Sequence, residues 1–357
     1  MSSIKFNNSE PVFFNTLKER INTYFTEKNV KPTGDFRLYF KTIAFVGSLI
    51  ACYIILVFFT PAAWYLSLGM CAVMGGLFAG IGFNVMHDGA HGSYSNIKWL
   101  NETMSYALNM MGGSNFIWKQ KHNINHHSYT NVEGMDDDID IKPFMRVHSN
   151  QKKYWFHRYQ HVYGLLLYGL TYLAWIFLQD FKKYFSGKIA DNTKIQRMSV
   201  KEHIIFWTSK AFYIGAFIIL PMYNVGVIDT IIGYGVMVFV TGVIIAVVFQ
   251  LAHIVEDAEF VTPLESTRIE SEWAIHQINT TVNFAINNKV WCWLLGGLNF
   301  QVEHHLFPRI SHVHYPQINK IVRATCTEFN VAYKEFPTFR SALWSHLVHL
   351  KRIGVAA

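Results

Sequence analysis

Apolar residues gather in long uncharged runs along this chain, and the charges lie between them. Thr42–Thr60 contains no Asp, Glu, Lys or Arg, and neither does Ala62–Met86. His161–Gln179, Ala211–Ile228 and Thr230–His253 are three more such runs. A helix needs about 20 apolar residues to cross a bilayer, so the runs predict membrane helices. The first two meet at Thr60-Pro61 and the last two around Pro221–Asp229, so each pair predicts a helical hairpin. Ahead of them, Asn15–Glu27 predicts a short amphipathic helix with Leu17, Ile21 and Phe25 on one face. Two roles are open to it, a solvated lead-in or a docking helix.

Composition fits a membrane protein. Hydrophobic residues make up 51% of the 357 and charged residues only 15%, where about a quarter charged is usual for soluble domains. The formal charge of +7 is spread out, with Lys and Arg flanking the apolar runs. Such a distribution argues against a nucleic-acid groove. Cys52, Cys71, Cys292 and Cys326 form no short-spaced motif, so no structural disulfide is expected. The opening MSSIKFNNSE lacks the apolar core of a signal peptide. It predicts a segment that stays where it was made.

Histidine changes the picture. Of 17 in the chain, seven fall in three clusters: His87 and His91 in HDGAH, His122, His126 and His127 in HNINHH, His304 and His305 in QVEHH. Residues three and four apart share a helix face. His87 and His91 are therefore one file, and His122 and His126 another with His127 just round the helix. Gln301 heads a third file with His304 and His305. A lone histidine is ordinarily a hydrogen-bonding residue, but three spaced clusters in one chain ask for another explanation. Seven imidazoles and an amide are too many for one tetrahedral zinc, and no thiolate stands beside them. Nitrogen ligation leaves iron, copper, nickel and zinc open. Two metal ions are the economical expectation.

Parity then sets the topology. The second run delivers His87 at its end, which places the first cluster at the membrane surface. If four of the five runs cross, all three clusters lie on one side; if His161–Gln179 crosses too, the third is stranded opposite. That run is therefore expected to be membrane-embedded or interfacial. The short outer turns near Thr60–Trp64 and Met222–Asp229 lack Lys and Arg, whereas the long loops carry Lys119, Lys121, Lys152, Lys153, Arg158, Lys182 and Lys183. The positive-inside rule puts the histidines on the cytoplasmic side. The expected fold is an all-α integral membrane protein: four transmembrane helices in two hairpins, with a cytoplasmic helical cap holding a histidine-ligated dimetal site. Its parts are a segment at 1–40, a principal domain at 41–331 and a tail at 332–357. The spans fall near 42–60, 62–86, 205–228 and 230–252, with the interfacial helix near 161–179.

These boxes resemble those of the membrane fatty acid desaturases, whose pattern is H-x3/4-H, H-x2/3-HH and [HQ]-x2-HH. HDGAH and HNINHH fit, and GLNFQVEHHLFPRISHVHYP strengthens the match, which covers roughly Asp35 to Val331. Gln in the third box is similar to the front-end branch, which includes acyl-CoA and acyl-lipid Δ5 and Δ6 desaturases and sphingolipid Δ8 desaturases. The linoleoyl Δ6-like members are the expected kin. The resemblance implies a non-haem di-iron centre, two Fe ions, with O2 as co-substrate. The implied reaction removes two hydrogens from an acyl chain on CoA or lipid to leave a cis double bond.

His87, His91, His122, His126, His127, His304 and His305 are the implied ligands and catalytic residues. His253 joins them as an eighth. It ends a span in FQLAH, where an unused polar group is costly, and the family has a comparable histidine there; capping or hydrogen bonding is its other role. Gln301 has three roles open: direct metal contact, contact through water, or a hydrogen bond alone. Asp88, Glu303, Asn123, Asn125 and Glu256 are candidates to orient the imidazoles. The acidic run Glu133–Asp140 has no metal-loop spacing and is expected to be a solvated loop, the minority role being contacts to the ligands from one or two Asp. His276, His312 and His314 are set aside as non-ligands.

No HPGG-type haem segment and no flavin or nicotinamide fingerprint occurs in the sequence. A separate electron donor such as a ferredoxin or cytochrome b5 is expected, docking on a basic cytoplasmic face. Three alternatives remain at this stage: a related di-iron membrane hydroxylase, a haem-binding membrane electron carrier, and a zinc transporter.

Overall fold

The computed structural model describes residues 5–8, 11–139, 141–190, 193–262 and 268–356. Its described part is mostly helical, and five helices are long and apolar enough to cross a membrane. After α1 (Val12–Lys28) come the membrane-length helices α2 (Phe36–Phe58) and α3 (Trp64–His91). Then follow α4 (Asn115–Lys119), running into a π-helical turn at Gln120–His126, and the membrane-length α5 (Trp155–Ser186), α6 (Val200–Asn224) and α7 (Val227–His253). Among the shorter or surface helices that follow are α8 (Trp273–Thr280), α9 (Gln301–Leu306), α10 (Tyr315–Glu328) and α11 (Phe339–Val355).

Helices α2 and α6 begin several residues before the uncharged runs that predict them. Polar caps explain the extension. The Asp35 carboxylate accepts from the Arg37 N–H at 2.9 Å, and Ser199 Oγ accepts from the Glu202 N–H at 3.3 Å. Each satisfies a donor that the first helical turn leaves free. The turn between α6 and α7 rests on Gly226, whose φ of +108° suits glycine far better than any other residue.

Close packing sets the membrane helices against one another. A Cβ on Gly75 of α3 would lie 2.5 Å from the Met237 carbonyl oxygen of α7. A Cβ on Gly242 of α7 would lie 2.6 Å from the Tyr168 carbonyl oxygen of α5. Glycine thus lets α7 approach both α3 and α5 backbone to backbone, the usual role of small residues between membrane helices.

At one end of these helices sits the cap. Phe13, Leu17, Ile21 and Phe25 of α1 are buried in one cluster with Ala274, Ile278, Phe300, Val302, Ile318 and Val322. The docking role, not the solvated one, is therefore what α1 performs. Its apolar face covers the back of the third histidine box. Helix α11, within the stretch expected as a tail, is packed too. His346 bridges the Ile254 carbonyl (Nδ1, 2.6 Å) and the Tyr168 hydroxyl (Nε2, 2.8 Å). The buried Arg146 donates to the Ile353 and Ala356 carbonyls at 3.0 and 2.8 Å and so holds the last turn of α11.

Candidate metal centre

Three local structures present the histidines. His87 and His91 form the last helical turn of α3, immediately after a π-helical turn at Gly82–Met86. Gly92 then ends the helix with φ +73°. His304 and His305 lie on α9 one turn after Gln301, as their spacing predicts.

The second box departs from the expected α-helix. It lies in the π-helical turn, and the His127 N–H bonds the His122 carbonyl five residues back at 3.1 Å. The wider turn brings His127 onto the same side as His122, with their Nε2 atoms 3.3 Å apart. An α-helix would rotate His127 away. Single π turns of this kind are frequent at functional sites.

All seven box histidines and His253 are buried and converge. Nitrogens from His87, His91, His122 and His304 lie within 4.8 Å of one another, and so do those from His126, His253 and His305. His127 links the two sets, forming a third group with His304 and His305. The Nε2 atoms of His87, His91, His126 and His304 are buried with no hydrogen-bond partner, as is Oε1 of Gln301. Unpartnered buried acceptors are costly. Cations placed among them would satisfy these groups, so the residues fit metal. The Gln301 Nε2 lies 2.9 Å from His253 Nε2 and 3.3 Å from His305 Nε2, so the amide borders the three-histidine set.

The outer nitrogens are held in turn. His126 Nδ1 meets Asp136 Oδ2 at 2.9 Å, and His122 Nδ1 meets Asp138 Oδ2 at 3.3 Å. His305 Nδ1 meets Gln277 Oε1 at 2.8 Å, His304 Nδ1 meets the Tyr315 hydroxyl at 3.2 Å, and His253 Nδ1 meets the Thr280 carbonyl at 3.3 Å. A proton kept at Nδ1 leaves Nε2 as a lone-pair donor facing inward, the usual outer-shell arrangement around ligating histidines.

The solvated-loop expectation for Glu133–Asp140 is thereby corrected; Asp140 itself lies outside the described residues. Asp136 is buried and also accepts from the Asn131 and Asp138 N–H groups at 2.9 and 3.0 Å. The chain winds around this carboxylate. Asp137 binds Lys183 at 2.6 Å, and Lys121 binds Asp138 at 2.6 Å. Loop residues follow no fixed period, so spacing carried no sign of which Asp turns inward.

Other candidates fall elsewhere. Asn123 donates to the Ala90 carbonyl and Asn125 to the Met135 carbonyl, bracing box two against its neighbours. Asp88 accepts from Ser311 at 2.6 Å and contacts His312, while Glu303 is bonded by Asn283, Asn319 and Tyr333. These two carboxylates tie the boxes to the cap. Glu256 is exposed. His276 meets the Thr130 carbonyl, His312 meets Lys41, and His314 meets the Thr33 carbonyl.

Gln277, the Thr280 carbonyl and the Tyr315 hydroxyl are positions that sequence reasoning missed. Gln277 is buried on α8, and its Oε1 takes both His305 and the Thr130 hydroxyl, the latter at 2.8 Å. The available signal was a group of polar residues, His276, Gln277 and Thr280, on one short helix with Thr281 directly after it.

Electrostatics match metal binding. Burial and the neighbouring imidazoles hold His127, His304 and His305 well below the usual histidine pKa, which keeps them neutral. Burial also opposes charge on His126, but the Asp136 carboxylate outweighs it and moves that pKa up. Despite its burial, Asp138 is held well below the carboxylate range by Lys121 and the nearby imidazoles.

Membrane-length helices that converge on a buried set of imidazoles fit for metal define an integral membrane protein of polyhistidine type. Comparison with known proteins names the family. The fatty acid desaturase family model matches residues 62–337, and the chain belongs to that family. It is 39% identical over 347 residues to an acyl-lipid (8-3)-desaturase of Physcomitrium patens, covering 96% of this chain and 72% of the relative. It is 34% identical over 344 residues to an sn-1 linoleoyl-lipid 6-desaturase of Arthrospira platensis, covering 96% of this chain and 93% of the relative. A protein of the same description from Synechocystis sp. is 35% identical over 347 residues, covering 97% of this chain and 96% of the relative. The protein is a fatty acid desaturase, and the hydroxylase, haem-carrier and zinc-transporter alternatives fall away.

Proposed function

We propose that this desaturase is a front-end enzyme acting on acyl chains carried by membrane lipids, with linoleoyl-lipid as the favoured substrate. The convergence of eight imidazoles and Gln301 on one buried space carries the reading. Relatives named for acyl-lipid and linoleoyl-lipid substrates support it over nearly the whole chain. His87, His91, His122 and His304 would hold one iron; His126, His253 and His305 would hold the other, with Gln301 beside it and His127 between the two. When bound, the irons supply dioxygen activation, which side chains alone cannot perform on an unactivated methylene. The protein's own share is orientation and exclusion. Asp136, Asp138, Gln277 and Tyr315 keep Nδ1 protons outward, and the burial of the histidines keeps bulk water from the centre. Two electrons per turnover would come from a separate ferredoxin or cytochrome b5.

Feeding linoleate and oleate separately to an expressing host tests the regiochemistry. Gas chromatography with mass spectrometry is expected to find a new double bond between the existing one and the carboxyl end of linoleate. A new bond only on the methyl side would sink the front-end assignment and leave the desaturase standing.

We also assign four spans, with the centre on the cytoplasmic face and α5 embedded without crossing. The ends of α5 support this. Gln160 near one end bonds the Arg146 backbone at 2.9 and 2.7 Å, and Lys183 near the other bonds Asp137 at 2.6 Å. Those two partners lie nine residues apart on the segment that follows the second box, and its Asp137, Asp138, Lys142 and Arg146 make it costly to place in hydrocarbon. A charged segment that ties down both ends of the helix supports placing those ends on the side of the second box. Single cysteines at Ala62 and Asn224 should react with an impermeant thiol reagent from outside, and cysteines at the exposed Ser149 and Lys320 should not. External labelling at Lys320 would overturn the one-sided centre.

A further inference from the structure

Helix α11 is buried along one side by α5 and the end of α7, and its opposite side has a regular pattern. Arg340, Trp344, Lys351 and Val355 are exposed and recur at intervals of four, seven and four. At about 100° per residue they fall on one narrow stripe, and Arg352 flanks it. Trp344 is 69% exposed.

The turn at Trp155–Tyr159, which opens α5, adjoins the last turn of this helix. Lys153 Nζ donates to the Val355 carbonyl at 2.9 Å, so the two elements are fastened together. Trp155 is 79% exposed, and Arg158 stacks over Tyr159 at 4.8 Å. Lys152 stands over Tyr154 at 5.2 Å. The exposed apolar face then continues along α5 through Val162, Leu166 and Leu170.

We infer that α11 and the turn at Trp155–Tyr159 form an interfacial shelf that binds anionic phospholipid headgroups. Three observations favour a lipid surface over an acidic protein. Two tryptophans are almost fully outward, in the amphipathic style of membrane-interface belts. Their neighbours are Arg and Lys, whose apolar stems lie along such a surface while the charges reach headgroups. The patch is also continuous with a membrane-length apolar helix, which brings it to the bilayer edge.

The test uses the full-length protein in nanodiscs of equal phosphatidylglycerol and phosphatidylcholine, with native mass spectrometry counting the lipids retained. The expected result is preferential retention of phosphatidylglycerol. The triple variant R340Q/K351Q/R352Q should weaken that preference by roughly fivefold per charge removed. A control triple, K18Q/K28Q/K320Q, removes the same charge from exposed positions on α1 and α10 and should retain it. Equal retention of the two lipids by the unaltered protein would overturn the inference. So would equal losses in the two triple variants, which would make the effect one of net charge. Binding of an acidic ferredoxin lost in R340Q/K351Q/R352Q, with lipid retention unchanged, would assign the patch to the electron donor instead.

Discussion

Alanine in place of any one of His87, His91, His122, His126, His127, His304 or His305 is expected to abolish desaturation while leaving the chain in the membrane. Each of these imidazoles is buried and shares a group of close nitrogens with at least two others. Removing one ring leaves a void where a neutral nitrogen donor stood, and no other donor on the same backbone can swing in to replace it. His304 and His305 should be the most sensitive, because each belongs to one of the two larger sets and both share the group that includes His127. His304 stands with His87, His91 and His122, and His305 with His126 and His253. Insertion should survive, since the apolar faces of α2, α3, α6 and α7 do not depend on these rings. Membrane fractionation, iron content and gas chromatography of the host's fatty acids together check the prediction. Full activity in two or more of the seven variants would refute the assignment.

Asp136→Ala should cost about 10–100-fold in iron affinity or turnover, the range typical when an outer-shell partner of a ligating histidine is lost. Asp136 is buried, and one carboxylate serves His126 Nδ1 together with the Asn131 and Asp138 N–H groups. Its loss frees the His126 ring to rotate and loosens the loop that carries Asp138. Asp137→Asn makes the comparison, because Asp137 reaches Lys183 and Lys121 but no imidazole in the centre. It should lose far less. Iron content measured after anaerobic reconstitution separates the two variants. Unchanged iron content and turnover in Asp136→Ala would show that the loop only covers the centre.

Much of the architecture was legible because its signals are local. A charge-free run of membrane length must satisfy its backbone internally, so Thr42–Thr60 or Thr230–His253 reads as helix without knowledge of its neighbours. Histidines at helical spacing advertise a shared face, and for HDGAH and QVEHH that geometry is what the fold contains. HNINHH was legible in its residues but not in its shape. The π turn that brings His127 beside His122 depends on the packing around it, and no spacing rule distinguishes it from an α-helix.

By itself, then, the sequence determined the membrane-length helices, the three boxes and the candidacy of His253, since each rests on chemistry confined to a few consecutive residues. Tertiary structure alone decided the rest. It turned Asp136 and Asp138 inward onto His122 and His126, set Gln277 of α8 against His305, and laid α1 over the third box. The hydrogen bonds among these join residues 10 to 28 positions apart, from loops and short helices without periodic patterns. Which side such a residue turns to is settled by the burial and hydrogen bonding of the assembled chain, where an unpartnered buried group is costly.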